Sequence, residues 1–156
     1  MRRPFGRRVL HCALAACGTI ALSGCGSSPI TPKRIETALE TTFANLVELQ
    51  VARLHLKPMT APDFAVTAIC GKQATGNNAG ARPEQSRGAG DWTCALVWQG
   101  PDRRMLRDTY DLFVATDGCY TATAAGENLG GPTLKASDGR DVRNLLYTFE
   151  GCFDTM

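Results

Sequence analysis

The chain has 156 residues, the size of one ordinary domain. Hydrophobic residues make up 44% and charged residues 21%, which excludes a wholly disordered chain. No apolar run reaches the roughly 18–20 residues of a membrane-spanning helix. The net charge is +2, but Arg2, Arg3, Arg7 and Arg8 all stand in the first eight residues. The seven cysteines are split too: Cys12, Cys17 and Cys25 crowd the N-terminus, and Cys70, Cys94, Cys119 and Cys152 are spread over the rest.

In chain order, Met1 to His11 is basic with no acidic residue, and Cys12 to Leu22 is a short, weakly apolar run. Leu22-Ser23-Gly24-Cys25 follows. A basic segment, a short apolar segment and small residues before a cut describe a secretory signal. The four residues Leu22 to Cys25 resemble the lipobox of bacterial lipoproteins: an aliphatic residue, two small residues, then cysteine. The resemblance implies a diacylglycerol group on the Cys25 thiol, cleavage between Gly24 and Cys25, and acylation of the new amino group. Small residues at 23 and 24 suit a peptidase that binds an extended strand, and two acyl chains suffice for stable anchoring. An ordinary cleaved signal with an incidental Cys25 is the alternative. Arg2-Arg3-Pro4-Phe5 is similar to the twin-arginine export motif, although Pro4 is unusual there; a plain basic segment also fits, so the export route stays open.

Removal of residues 1–24 leaves 132 residues, takes Cys12 and Cys17 away and moves the net charge to −2. No basic footprint for nucleic acid remains. Residues 25–31 read as a lipidated tether, with Gly26-Ser27-Ser28-Pro29 extended and unpacked. Residues 32–156 read as one domain.

Thr31-Pro32 is a helix start, a capping residue followed by a proline suited to the first helical position. Ile35, Leu39, Phe43, Leu46 and Val47 share one face, and Val51 and Leu54 continue it. Val47, Leu49 and Val51 also fit strand alternation, and Pro58 stops the helix at the latest. The period then drops to two. Phe64, Val66, Ala68 and Cys70 share a face of a first strand, Trp92, Cys94, Leu96 and Trp98 of a second, and Tyr110, Leu112 and Val114 of a third. Between the first two, Gly71 to Gly90 is rich in Gly, Ala, Asn and Gln and is expected to form a long mobile loop. Asp117-Gly118 turns the chain into a fourth strand, Cys119–Thr123. Asp138-Gly139 marks a further hairpin, and Leu145 to Phe149 is apolar but ambiguous in type. The expected fold is α+β: an amphipathic N-terminal helix across one face of an antiparallel sheet of about four strands, with two disulfides.

Cys70, the approach Gly90 to Cys94 and the strand Tyr110 to Val114 follow an amphipathic helix here. This order resembles small extracytoplasmic domains of actinobacterial lipoproteins and membrane proteins, over about residues 33–117. The resemblance implies a fold and a location but no activity.

The four later cysteines lie in an exported chain, where disulfides persist. They allow three connectivities. Cys70–Cys94 and Cys119–Cys152 are favoured, because Cys70 and Cys94 share the apolar faces of neighbouring strands and Cys152 lies on a tail that needs fastening. Metal or redox chemistry is disfavoured, since no Cys-x-x-Cys is present.

Catalytic motifs are sparse. His55 is the sole histidine after the signal and reads as a base, a ligand or, more simply, a surface residue at a helix end. No serine stands in a Gly-x-Ser-x-Gly elbow, and no phosphate loop or His-Glu-x-x-His is present. Asp138 and Asp141 flank a turn, and Arg103, Arg104 and Arg107 read as a charged hairpin. Asp108, Asp111, Glu150 and Asp154 would serve catalysis only if the fold pairs them. Trp92, Trp98, Tyr110 and Tyr120 are either core or an aromatic platform, with Trp92 and Trp98 the candidate binding residues. The expectation is a non-enzymatic protein without a cofactor, held by Cys25 at the outer face of a bacterial membrane or the periplasmic face of an outer membrane. It would bind an envelope protein or small ligand. The alternatives are an envelope hydrolase using paired carboxylates and a structural or inhibitory module.

Overall fold

The computed structural model describes residues 29–73 and 87–153. The expected signal segment, Cys25, Asp154 and most of the expected loop lie outside the described residues.

Helix α1 spans Pro32–Arg53. Thr31 is extended and its hydroxyl accepts the Arg34 N–H at 3.4 Å, while Pro32 opens the first turn. Ile35, Leu39, Phe43, Val47 and Val51 are buried, whereas Leu49 is 54% exposed, so the helical period governs this stretch to its end. The helix stops four residues short of the last point Pro58 would allow. His55 takes a left-handed backbone (φ 54°), and the N–H groups of His55 and Leu56 bond to the carbonyls of Ala52 and Val51. This satisfies the last carbonyls and reverses the chain.

Phe64 does not open the first strand. The carboxylate of Asp63 accepts the backbone N–H and the hydroxyl of Thr60, each at 2.8 Å, and winds Ala61–Phe64 into one 3-10 turn. Ala65 (φ 44°) then releases the chain into β1, Thr67–Lys72. The local carboxylate bond outcompetes the alternation that points to a strand from Phe64. Phe64 is buried all the same.

The remaining strands are β2 (Gly90–Gln99), β3 (Met105–Val114), β4 (Cys119–Ala124), β5 (Thr133–Lys135), β6 (Asp141–Arg143) and β7 (Thr148–Cys152). Gly71, Lys72 and Gly90 therefore belong to strands rather than to the connecting loop. β1-β2-β3-β4-β7 form one antiparallel sheet, and β5-β6 form a separate two-stranded ribbon turning through Gly139 (φ 82°). The sheet thus has five strands. The ambiguous segment supplies the fifth through Thr148 and Phe149.

Helix α1 covers one face of the sheet. Trp92, Cys94, Leu96, Trp98, Tyr110, Leu112, Val114, Tyr120 and Ala122 meet it there. β1 lies at the sheet edge, and side chains of α1 take up its outward N–H groups. Glu40 Oε1 accepts the Ala68 N–H at 3.0 Å, and Glu36 Oε1 accepts that of Cys70 at 3.1 Å. Farther along, Glu48 Oε2 accepts the Ala61 N–H at 2.7 Å. Charge-assisted bonds of this kind satisfy an edge that would otherwise offer itself to a foreign strand.

Both disulfides join residues directly opposite each other in register, Cys70 with Cys94 and Cys119 with Cys152. Cys70 and Cys94 are buried under α1, whereas Cys152 is exposed on the opposite face of the sheet.

Two outcomes are expected. Glu40→Ala leaves the part-buried Ala68 N–H without its acceptor and should cost about 1–3 kcal/mol in urea unfolding, with Glu40→Gln costing less because it keeps an acceptor; equal stability of all three proteins would show that the bond contributes nothing. Under native conditions a mild reductant, followed by alkylation and peptide mass mapping, should open Cys119–Cys152 before Cys70–Cys94.

Candidate interaction surface

Because strand side chains alternate, the residues that do not face α1 form a second surface. Across β1, β2 and β3, one row runs Thr67, Val97, Arg107 and the next Ile69, Ala95, Thr109. A longer row runs Gly71, Thr93, Asp111, Thr123, Thr148, and another Asp91, Phe113, Thr121, Glu150. Ile69 is 76% exposed and Phe113 60% exposed. Gln73 Nε2 donates to Thr93 Oγ1 (3.0 Å) and Asp111 Oδ1 (3.3 Å), which fixes a small polar cluster in the middle row. The surface therefore mixes threonine hydroxyls with the large exposed apolar side chains of Ile69, Phe113 and, at the start of β3, Met105 (62% exposed). Clefts open beside α1 among the described residues: one of 450 Å³ lies between α1 and the end of β7, and one of 360 Å³ between α1 and the β1 edge.

The tryptophans are not part of this surface. Trp92 is fully buried, with its indole N–H donating to the Gly88 carbonyl at 3.2 Å, and Trp98 is 3% exposed. Both stand near the ends of β2, yet both belong to the core rather than to a binding platform. Phe43 of α1 lies against Trp98, ring to ring at 4.9 Å, and the chain at Gly88 closes over the Trp92 indole, so both ends of β2 are covered. Tyr110 and Tyr120 are core residues as well. The Tyr110 hydroxyl donates to the Leu146 carbonyl at 2.7 Å, and that of Tyr120 to Thr42 Oγ1 at 3.1 Å.

The carboxylates named from the sequence are dispersed. Asp108 shares the core face with Tyr110, is 3% exposed and accepts the Thr109 N–H at 2.7 Å. Only glycine fits beside it at position 126, where a Cβ would lie on the carboxylate. Asp111 and Glu150 are on the open face, two strand spacings and two residues apart in register, roughly 12 Å. Paired glycosidase carboxylates sit about 5–10 Å apart. Among the described residues, no group of three or more histidine, cysteine or acidic side chains is placed to hold a metal ion.

His55 lies on the surface at the end of α1, against the β5–β6 turn. Its Nε2 is 3.2 Å from Arg140 Nη2 and 3.7 Å from Asp138 Oδ2. The Arg140 backbone N–H and guanidinium hold the Asp138 carboxyl below the usual range. Arg103 and Arg104 occupy the β2–β3 hairpin, where Arg104 pairs with Asp102, and Arg107 lies on β3. Comparison with protein-family models, curated proteins and solved structures finds no match.

Burial, reinforced by the nearby Asp108, pushes the Tyr110 phenol well above its usual range. Burial also raises Tyr120, partly offset by its bond to Thr42. A phenol raised in the folded state contributes stability that is complete below the unfolded value of about 10 and is lost as pH climbs toward the folded value. The domain should therefore unfold in alkali above pH ~10, with phenolate absorbance of the buried tyrosines rising together with loss of the circular dichroism signal; ionisation of all tyrosines in a still-folded protein would contradict this burial.

Proposed function

We propose that this chain is a lipid-anchored extracytoplasmic module that binds another envelope protein through the open face of its sheet and performs no chemistry of its own. The anchor is Cys25, cut from its signal after Gly24, at the outer face of a bacterial membrane or the periplasmic face of an outer membrane. The observation that carries the binding reading is the solvent-exposed face on which Ile69 and Phe113 stand among threonines. A sheet face of mixed apolar and hydroxyl character suits a protein surface better than a small molecule, which needs a concave site. Two disulfides fit an oxidising compartment. The likeness to small actinobacterial lipoprotein domains points the same way and adds no activity.

The test uses a photo-crosslinking residue at position 113 in intact cells, with position 57 as control. One discrete adduct at 113, lost when Ile69→Lys is added and absent at 57, is the expected result. The same pattern at both positions, or none at 113, would remove the binding reading. In parallel, Cys25→Ala should release the protein from the membrane fraction, and undiminished retention would remove the anchor.

A further inference from the structure

We propose that the end of the domain from which the tether leaves rests on the anionic phospholipid headgroups of the membrane that holds the acyl anchor. This rests on the lipidation of Cys25 proposed above. Ile30 is buried in the core and its carbonyl accepts the Gly88 N–H at 3.0 Å, while Pro29 is exposed. The domain is thus fixed to the chain at Ile30. From Cys25 to Pro29 the chain reaches at most about 14 Å. An anchored domain therefore keeps the N-terminal end of α1 close to the lipid surface, and the far end of α1 stands about 33 Å further along the helix axis.

The charges at this end fit an anionic surface. Lys33 and Arg87 line one cleft beside Pro32, and the Lys72 ammonium reaches the Arg87 carbonyl at 3.0 Å. Lys33 also borders the cleft next to Arg34, whose guanidinium lies over the Phe153 ring at 5.6 Å. Among the described residues, the ion pairs His55–Asp138, Arg104–Asp102, Lys135–Asp141 and Arg140–Asp138 involve none of these cations. Of the described carboxylates at this end, Glu36 accepts the Cys70 N–H and Asp117 the Cys119 N–H, while Asp91 and Glu150 stand on the open sheet face, away from the exit cations on the α1 side. Among the described residues, Lys33, Lys72 and Arg87 therefore surround the chain exit outside any ion pair, at the place where the tether presents lipid phosphates. Attraction of this kind falls off within a Debye length, so a short tether is what makes it count.

The test attaches the protein by chemistry, so that it does not depend on acylation in the cell. The segment beginning at Cys25 contains the whole core from Ile30 to Phe153 and both disulfides, so it folds without the signal. Its remaining thiol, Cys25, is coupled to a maleimide lipid in vesicles of phosphatidylcholine alone or mixed with phosphatidylglycerol. Amine acetylation is then followed by mass spectrometry. Lys33 and Lys72 should react about fivefold more slowly on the anionic vesicles and recover in high salt, with Lys57 at the far end of α1 unchanged. Equal labelling on both vesicle types, or protection that persists in high salt, would overturn the docking. Separately, the intact mass of the protein extracted from its own membrane reads the state of Cys25. An unacylated Cys25 there would bring down the anchor and the docking with it, even if the vesicle footprint is seen.

Discussion

Phe43 is the side chain on which the two layers meet. From the middle of α1 its ring lies 4.9 Å from that of Trp98, 5.8 Å from that of Tyr110 and 6.1 Å from that of Phe149. These partners come from β2, β3 and β7, so one helical residue gathers early and late parts of the chain. Tyr110 and Phe149 also meet edge to face at 5.5 Å, and the Tyr110 hydroxyl holds the carbonyl of Leu146 just before β7. Edge-to-face aromatic contacts add to the gain from burial itself, and a buried Phe of this kind is worth several kcal/mol. Net domain stability is only about 5–15 kcal/mol, so the sheet's fifth strand depends on this cluster as much as on its ladder.

The excursion between β4 and β7 is held differently. Its small ribbon buries little apolar surface, and two amides do the fastening. Asn144, 2% exposed, donates to the Leu129 and Gly131 carbonyls and accepts the Leu146 N–H. Gln50 of α1, 3% exposed, accepts the Leu145 N–H at 2.7 Å. Backbone groups in a segment without ladder partners must find them elsewhere. Here buried side-chain amides supply them, and the same contacts register the strand that follows.

Much of this architecture is legible in the sequence because it is written locally. Thr31-Pro32 marks the start of α1, a stripe at spacings of three and four gives its buried face, and Asp-Gly pairs mark two hairpins. Alternation puts Cys70 and Cys94 on the apolar faces of neighbouring strands, and the need to fasten the tail pairs Cys152 with Cys119. What escapes reading is set by distant partners or by short-range competition. Glu36 and Glu40 look like ordinary solvated helix residues until a strand about thirty positions later places its edge against them. Thr60 and Asp63 override the strand pattern by bonding each other. For the candidate site, a signal was present but unused: Asp108 has the parity of Tyr110 and Leu112, so period two already assigns it to the core and Asp111 to the open side. The exposure of Ile69 and Phe113 could likewise be read from parity, since each sits out of phase with Cys70 and Leu112. The burial of both tryptophans depends on Phe43 of α1 over Trp98 and on the chain at Gly88 over Trp92, distant contacts that no local pattern contains.

The bonds from Glu36 and Glu40 to β1 have a mechanical consequence. Glu36 meets Cys70 and Glu40 meets Ala68, so α1 and β1 run in opposite directions side by side. A tension drawn through Ile30 along the axis of α1 would load both carboxylate bonds in shear, together rather than one after the other. β1 cannot slide out with the helix, because Cys70 is covalently fixed to β2. A pull on the end of the chain would thus be spread across the sheet.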